Sequence, residues 1–196
     1  VGNPLDSEFF DAGFAKMEKE GTPILMHALD PADFWTNPTE DRVARGWFYG
    51  DGTYPKNEDL YAQIDSLLEK HPKLNLCLAH FFFCSENPEK LERMFEKYEN
   101  LSVDITPGGE MYLGFEKRPE YYKEFFKKYA NRVSFGTDMD YPVYMEAGIW
   151  LCDREFRYFA FDEAVESFDD HKIKGIALPN EYLQRIFSAN ALERFG

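Results

Sequence analysis

Four short apolar runs constrain what this chain can fold into more than any other feature of its sequence. They are Pro23 to Ala28 (PILMHA), Leu74 to His80 (LNLCLAH), Leu101 to Ile105 (LSVDI) and Arg132 to Thr137 (RVSFGT). Each is nearly continuously apolar, so neither face of a strand built from it could be left to water. Runs of that kind are the strands of parallel sheets covered on both sides, not of hairpins with one wet face. The segments between them carry helical periodicity and helix punctuation. Asp6 is placed to cap a helix reaching about Glu20, with Phe10, Phe14 and Met17 at core spacing and Gly21 as its stop. Asn57 is placed to cap a second, with Leu60, Ile64, Leu67 and Leu68 in one stripe and Pro72 beyond its end. Asn87-Pro88 opens a third through Leu91, Met94, Phe95 and Tyr98, and Pro119 a fourth through Tyr122, Phe125, Phe126 and Tyr129. After the fourth run the signal weakens until Pro179-Asn180 starts a last helix with Leu183, Ile186, Phe187 and Leu192. No linker or low-complexity stretch interrupts residues 1–196, which are expected to form one α/β domain of repeated βα units.

Composition narrows the partners. With 22 Lys and Arg against 36 Asp and Glu, the net charge is −14, and no basic patch is segregated along the chain. Such a chain is repelled by nucleic acid and by anionic membrane, which leaves a small molecule as the expected partner. The 19 Phe, 12 Tyr and 3 Trp give ample material for a core. Cys77, Cys84 and Cys152 form no CxxC pair, so a reducing, cytoplasmic setting is expected over a disulfide framework or a cysteine-based zinc site. No apolar run approaches the roughly 20 residues that span a bilayer, and no leader pattern precedes the first helix. The triplet Asn100-Leu101-Ser102 is therefore not expected to be glycosylated.

In parallel α/β folds the functional groups project from the carboxyl ends of strands. There the four runs carry His27, then His80, then Asp104 with Thr106, then Asp138. Each alone also fits a structural role, Asp138 as the cap of a turn for example. Two imidazoles and two carboxylates at equivalent positions of successive strands suit a divalent metal, zinc being the expected one. His71, beside Pro72, and His171, in a polar stretch, are expected at the surface. Two connections are long. The stretch from Leu29 to Lys56 holds Trp35, Trp47, Phe48 and Tyr49 and exceeds an ordinary βα loop, as a lid or site wall does. The other runs from Asp138 to about Arg154. Phe81, with Phe82 and Phe83 behind it, Tyr112 after Met111, and Tyr141 are expected to line an aromatic substrate mouth. Arg45, with Arg42 and Arg118, is placed to hold a substrate carboxylate, and Asp140 and Glu110 to add acidic groups.

The strand motifs resemble a known family. Thr22-Pro23-Ile24-Leu25-Met26-His27, His71-Pro72-Lys73-Leu74 leading to Leu78-Ala79-His80-Phe81, Asn100-Leu101-Ser102-Val103-Asp104 and Phe135-Gly136-Thr137-Asp138 are similar, in order and spacing, to those of the amidohydrolase-related family. The closing Leu183 to Phe195 is similar to its terminal helix. The family comprises metal-dependent hydrolases and nonoxidative decarboxylases, aminocarboxymuconate semialdehyde decarboxylase among them. The resemblance implies a TIM-type (β/α)₈ barrel of which these are the fifth to eighth strands. It implies His27 as a metal ligand, Asp138 as a ligand and general base, and His80 near the metal-bound water or the substrate. The His-x-His of the family's first strand has no match in this chain. Four strands in about 140 residues project to eight in well over 250, against about 250 for such barrels. With Val1 at its start, the chain is therefore expected to be the C-terminal half of a longer protein, or to pair with a second copy. The expected activity is hydrolysis of a small molecule through a metal-activated water. The alternatives are nonoxidative decarboxylation of an aromatic or unsaturated acid and an inactive half-barrel that serves as an interaction module.

Overall fold

The four apolar runs become the four strands of one sheet in a computed structural model of the chain, in the order β1-β2-β3-β4. They are β1 (Ile24–Met26), β2 (Leu76–Leu78), β3 (Leu101–Asp104) and β4 (Val133–Ser134). β3 pairs with β4 in parallel, Val103 opposite Val133 and Asp104 opposite Ser134. β2 and β3 are buried along their whole length, as their unbroken apolar character requires. The structure describes residues 2–106, 109–139, 145–166 and 172–196. The result is an α/β fold whose sheet is compatible with consecutive strands of a (β/α)₈ barrel. The chain divides into two compact units, residues 1–77 with 89–101, and residues 78–88 with 102–196.

In the first unit α1 (Glu8–Glu20) starts after Ser7, not Asp6. It closes at Gly21, whose φ of 68° lets Thr22 N–H return to the Met17 carbonyl at 2.9 Å. α4 (Asn57–Lys70) turns Ile64, Leu67 and Leu68 into the core. α5 (Pro88–Lys97) is followed by Tyr98, whose hydroxyl donates to the Asp65 carboxylate at 2.6 Å, while Lys97 bridges Asp65 and Glu69. His71, expected at the surface, is buried. It lies four residues past Leu67 and so continues the apolar stripe of α4. Asp11 and Glu18 stand at 3.8 and 3.6 Å from its two ring nitrogens. The long connection after β1 folds into two short helices, α2 (Asp33–Thr36) and α3 (Glu40–Arg45), the second capped by the Thr39 hydroxyl.

The second unit is built on rings. α6 (Gly109–Lys117), α7 (Pro119–Lys128) and α8 (Met145–Ala160) bring Phe115, Tyr122, Phe126, Tyr158 and Phe159 together with Phe81. Most neighbouring rings meet edge to face, Phe81 with Phe115 at 5.2 Å and Phe126 with Phe159 at 4.8 Å. That geometry suits the aromatic quadrupole. The terminal helical segment, α9 (Asn180–Gln184), a wide turn at 185–189 and α10 (Asn190–Phe195), is tied to β4. Asn190 donates to the carbonyls of Ala130 and Val133, both at 2.6 Å, and Phe135 N–H donates to the Ile186 carbonyl. A hairpin of β5 (Ala164–Glu166) and β6 (Lys172–Lys174) was not legible beforehand. It buries only Val165 and Ile173, which face each other, and leaves its remaining residues to water. His171 lies outside the described residues. Among the described residues no helix is long and apolar enough to cross a membrane.

Candidate functional site

His80 sits in an unusual piece of backbone. After β2 the chain enters four successive residues with positive φ, His80 at 55°, Phe81 at 54°, Phe82 at 51° and Phe83 at 50°. They form one left-handed turn with no glycine in it. Each such residue costs about 1–2 kcal/mol relative to the right-handed form, so the turn persists only where its surroundings hold it. Two sets of contacts do so. The rings of Phe81 and Phe82 are fully buried, Phe81 against Phe115, Phe125 and Phe126. One carboxylate oxygen, Asp104 Oδ1, accepts both the His80 N–H at 2.9 Å and the Thr106 N–H at 3.1 Å. His80 Nδ1 lies 3.3 Å from the Thr106 carbonyl. A carbonyl can only accept, so the neutral ring carries its proton on Nδ1 and its lone pair on Nε2. Phe83 packs against the imidazole at 5.3 Å. Gly136 approaches so closely that a Cβ there would overlap the Thr106 hydroxyl. Two residues later Asp138 is exposed, itself at a φ of 52°.

In the other unit His27 follows β1 directly. Its side chain is 52% exposed, and its Nε2 lies 3.6 Å from the Asp30 carboxylate. His27 lines a cleft of about 550 Å³ whose wall comes from the long connection, with Asp30, Trp35, Tyr49 and Tyr54. Trp35 is fixed by donating its indole N–H to the Pro55 carbonyl at 2.9 Å. Burial and, after it, the Asp30 carboxylate push the Tyr49 phenol up to about 12. Arg45 does not line this cleft. It pairs with Asp41 at 2.8 Å and covers Trp47. Arg42 is likewise taken up, by Asp33 and by the Phe34 ring.

The family model for amidohydrolases matches residues 1–196. The chain belongs to the amidohydrolase family. No curated protein and no solved structure matches it. Amidohydrolases are generally enzymes and typically use divalent metals. Among the described residues of this chain, no group of three or more His, Cys, Asp or Glu is assembled to hold a metal. Of the residues expected to hold a metal, His27 is 52% exposed in the first unit and Asp138 is exposed in the second. No disulfide joins Cys77, Cys84 or Cys152.

Two residues expected at the substrate wall lie instead inside the ring core. Phe81 is enclosed by other rings, and Tyr112 is buried beside Tyr158 at 5.2 Å. The Tyr112 phenol is pushed far above its ordinary value by burial and then by the charge of Glu155. Tyr141 and Asp140 lie outside the described residues, as does the side chain of Glu110. Arg118 stands over the Tyr121 ring at 3.9 Å. Sequence reasoning missed Glu155, which is 1% exposed on α8. Desolvation, and after it the Asp104 charge, holds its carboxyl well above the usual range. Its neighbour Arg154 donates to the Glu166 carbonyl and covers Trp150. The charged string Asp153-Arg154-Glu155 reads as a solvated face. The available signal was position: Glu155 lies four residues from both Leu151 and Phe159, on the helix's apolar stripe.

Proposed function

We propose that this amidohydrolase is a metal-dependent hydrolase that cleaves a small molecule with a metal-activated water. The observation that carries the reading is the family match over residues 1–196, together with His27, His80 and Asp138 in the segments that follow β1, β2 and β4. The donor chemistry fits zinc in kind: an accessible imidazole and an accessible carboxylate are ordinary zinc ligands. It does not fit in number, since two donors are fewer than the three protein ligands of catalytic zinc sites. The remaining ligands, and the other strands of a (β/α)₈ barrel, come in this reading from the rest of the same protein or from a second copy. A bound divalent ion supplies an activated water and a Lewis acid. Asp138 would hold such an ion and accept a proton beside it. His80, whose Nδ1 is taken up by the Thr106 carbonyl, would meet the reacting groups through Nε2. Hydrolysis is favoured over decarboxylation because neither Lys nor Arg lines the cleft at His27, where a substrate carboxylate would meet Asp30. With cysteines that form no disulfide, the cytoplasm is the fitting compartment.

Metal analysis of protein purified without chelator tests the reading. Bound metal is expected in the wild type and in His80→Ala, and its loss in His27→Ala and Asp138→Asn with the circular dichroism spectrum unchanged. Metal retained in both of the latter variants overturns the ligand assignment. A wild-type protein that takes up no metal favours an inactive interaction module.

A further inference from the structure

We propose that Asp51-Gly52, in the long connection after β1, is a site of spontaneous isomerisation, where the chain closes to a succinimide and reopens as isoaspartate, with Thr53 as the brake. The sequence holds no other Asp-Gly pair and no Asn-Gly pair. Closure needs an accessible carboxyl beside an amide nitrogen that no side chain screens and no hydrogen bond engages. Asp51 is exposed and stands outside helix and strand. Gly52 has no Cβ, takes a φ of 89° and has open space around it. Its N–H donates to no group among the described residues. At the two Asp-Ser pairs of the chain the amide is engaged: Ser7 N–H donates to the Pro4 carbonyl at 3.1 Å, and Ser66 lies within α4.

The step balances with water alone. The Gly52 nitrogen bonds to Asp51 Cγ and gives up its proton, with which the hydroxyl of the protonated carboxyl leaves as water. A second water then opens the ring at either carbonyl. Opening at Cγ restores aspartate; opening at the Asp51 main-chain carbonyl leaves isoaspartate, whose main chain runs through Cβ and Cγ and is one carbon longer. Thr53 slows the closure. Its N–H and its hydroxyl both donate to Asp51 Oδ1, at 2.9 and 2.6 Å, which fixes the carboxylate and holds it below its usual range, favouring the ionised form that cannot leave as water. The loop is anchored on both sides, since Tyr49 N–H donates to the Phe34 carbonyl at 2.8 Å and the Pro55 carbonyl accepts the Trp35 indole N–H. Tyr49 and Tyr54 line the cleft with His27, so the extra carbon enters the cleft wall between two fixed points.

The site does not depend on the hydrolase reading, and its test needs no turnover. The whole chain is held in warm neutral buffer, sampled over time, and mapped by proteolysis and mass spectrometry. The succinimide is lighter than the parent by one water. Isoaspartate has the mass of aspartate, so it is counted by labelled methyl transfer from an isoaspartyl methyltransferase, which esterifies the freed α-carboxyl. Both products are expected in the peptide that contains Asp51 and not in those that contain Asp6 or Asp65. Thr53→Ala is expected to speed their formation several-fold. Asp51→Glu, which would have to close a larger ring, is expected to stop it. Both substitutions fall at exposed residues and leave the core untouched. No product at Asp51, or equal labelling at Asp6 or Asp65, overturns the proposal, and a Thr53→Ala rate no higher than the wild type's overturns the role of Thr53.

Discussion

Replacing Asp104 by alanine measures what holds the left-handed turn at His80. The carboxylate is buried, at 4% exposure, and one of its oxygens accepts two backbone N–H groups, from His80 at 2.9 Å and Thr106 at 3.1 Å. Alanine removes the acceptor from both. A buried N–H left unsatisfied costs about 1–3 kcal/mol, and the charge on the acceptor places these two toward the upper half of that range. The expected loss is therefore about 3–5 kcal/mol, a large share of the roughly 5–15 kcal/mol that holds a domain folded. Asparagine keeps an oxygen at the same place and loses only the charge. It also relieves the repulsion between Asp104 and Glu155, so Asp104→Asn is expected to cost only about 1 kcal/mol. Urea unfolding midpoints at neutral pH, compared at equal m-values, give the two numbers. Nitrogen chemical shifts of the His80 ring give a second readout, in which the proton stays on Nδ1 in the wild type and in Asp104→Asn. Equal losses in the two variants, or an alanine cost below about 1 kcal/mol, would refute the reasoning and assign the turn to its buried rings alone.

Two further substitutions probe the same unit. Glu155 has a folded-state pKa above its ordinary value, so the folded state prefers its proton, and its stability contribution is complete only below about pH 4.5 and falls as pH rises from there. Glu155→Gln should flatten that fall, melting above the wild type at pH 7 and level with it at acid pH; a variant that melts lower at pH 7 contradicts the burial argument. Gly136→Ala places a Cβ against the Thr106 hydroxyl and should cost about 1–3 kcal/mol. Thr106→Ala should restore most of that loss in the double variant, and strictly additive denaturation free energies would show that the two residues do not meet.

The parts of the fold that were legible are those in which a short stretch carries its own physical reason. A run such as LNLCLAH can be satisfied only by burial on both faces, and Pro88 and Pro119 can sit only at the start of a helix. The parts that were not legible lack a local reason. The β5–β6 hairpin rests on one apolar residue in each strand, Val165 and Ile173, too few for a period of two to show. His-Phe-Phe-Phe was read as a strand end followed by an aromatic mouth, because the sequence sign of a left-handed turn is glycine and none is present. That turn exists because Phe81 is anchored in a ring core assembled from α6, α7 and α8, because Phe82 is buried, and because Asp104 stands 24 residues along the chain from His80. His71 and Glu155 fail for a related reason. Polar character was read before helical position, and each continues an apolar stripe.

The arginines show how composition decides what a loop cation pairs with. Arg42 and Arg45 were expected to face a substrate carboxylate, an idea that treats a loop arginine as available. With 36 acidic side chains against 22 basic ones, a loop cation has more carboxylates in reach than it can pair with, and local ones win because their closure entropy is lowest. Asp41 lies four residues from Arg45 on one helix, and Asp33 nine from Arg42 in the same connection. Each guanidinium also spreads over a ring, Trp47 or Phe34, which removes it further from solvent.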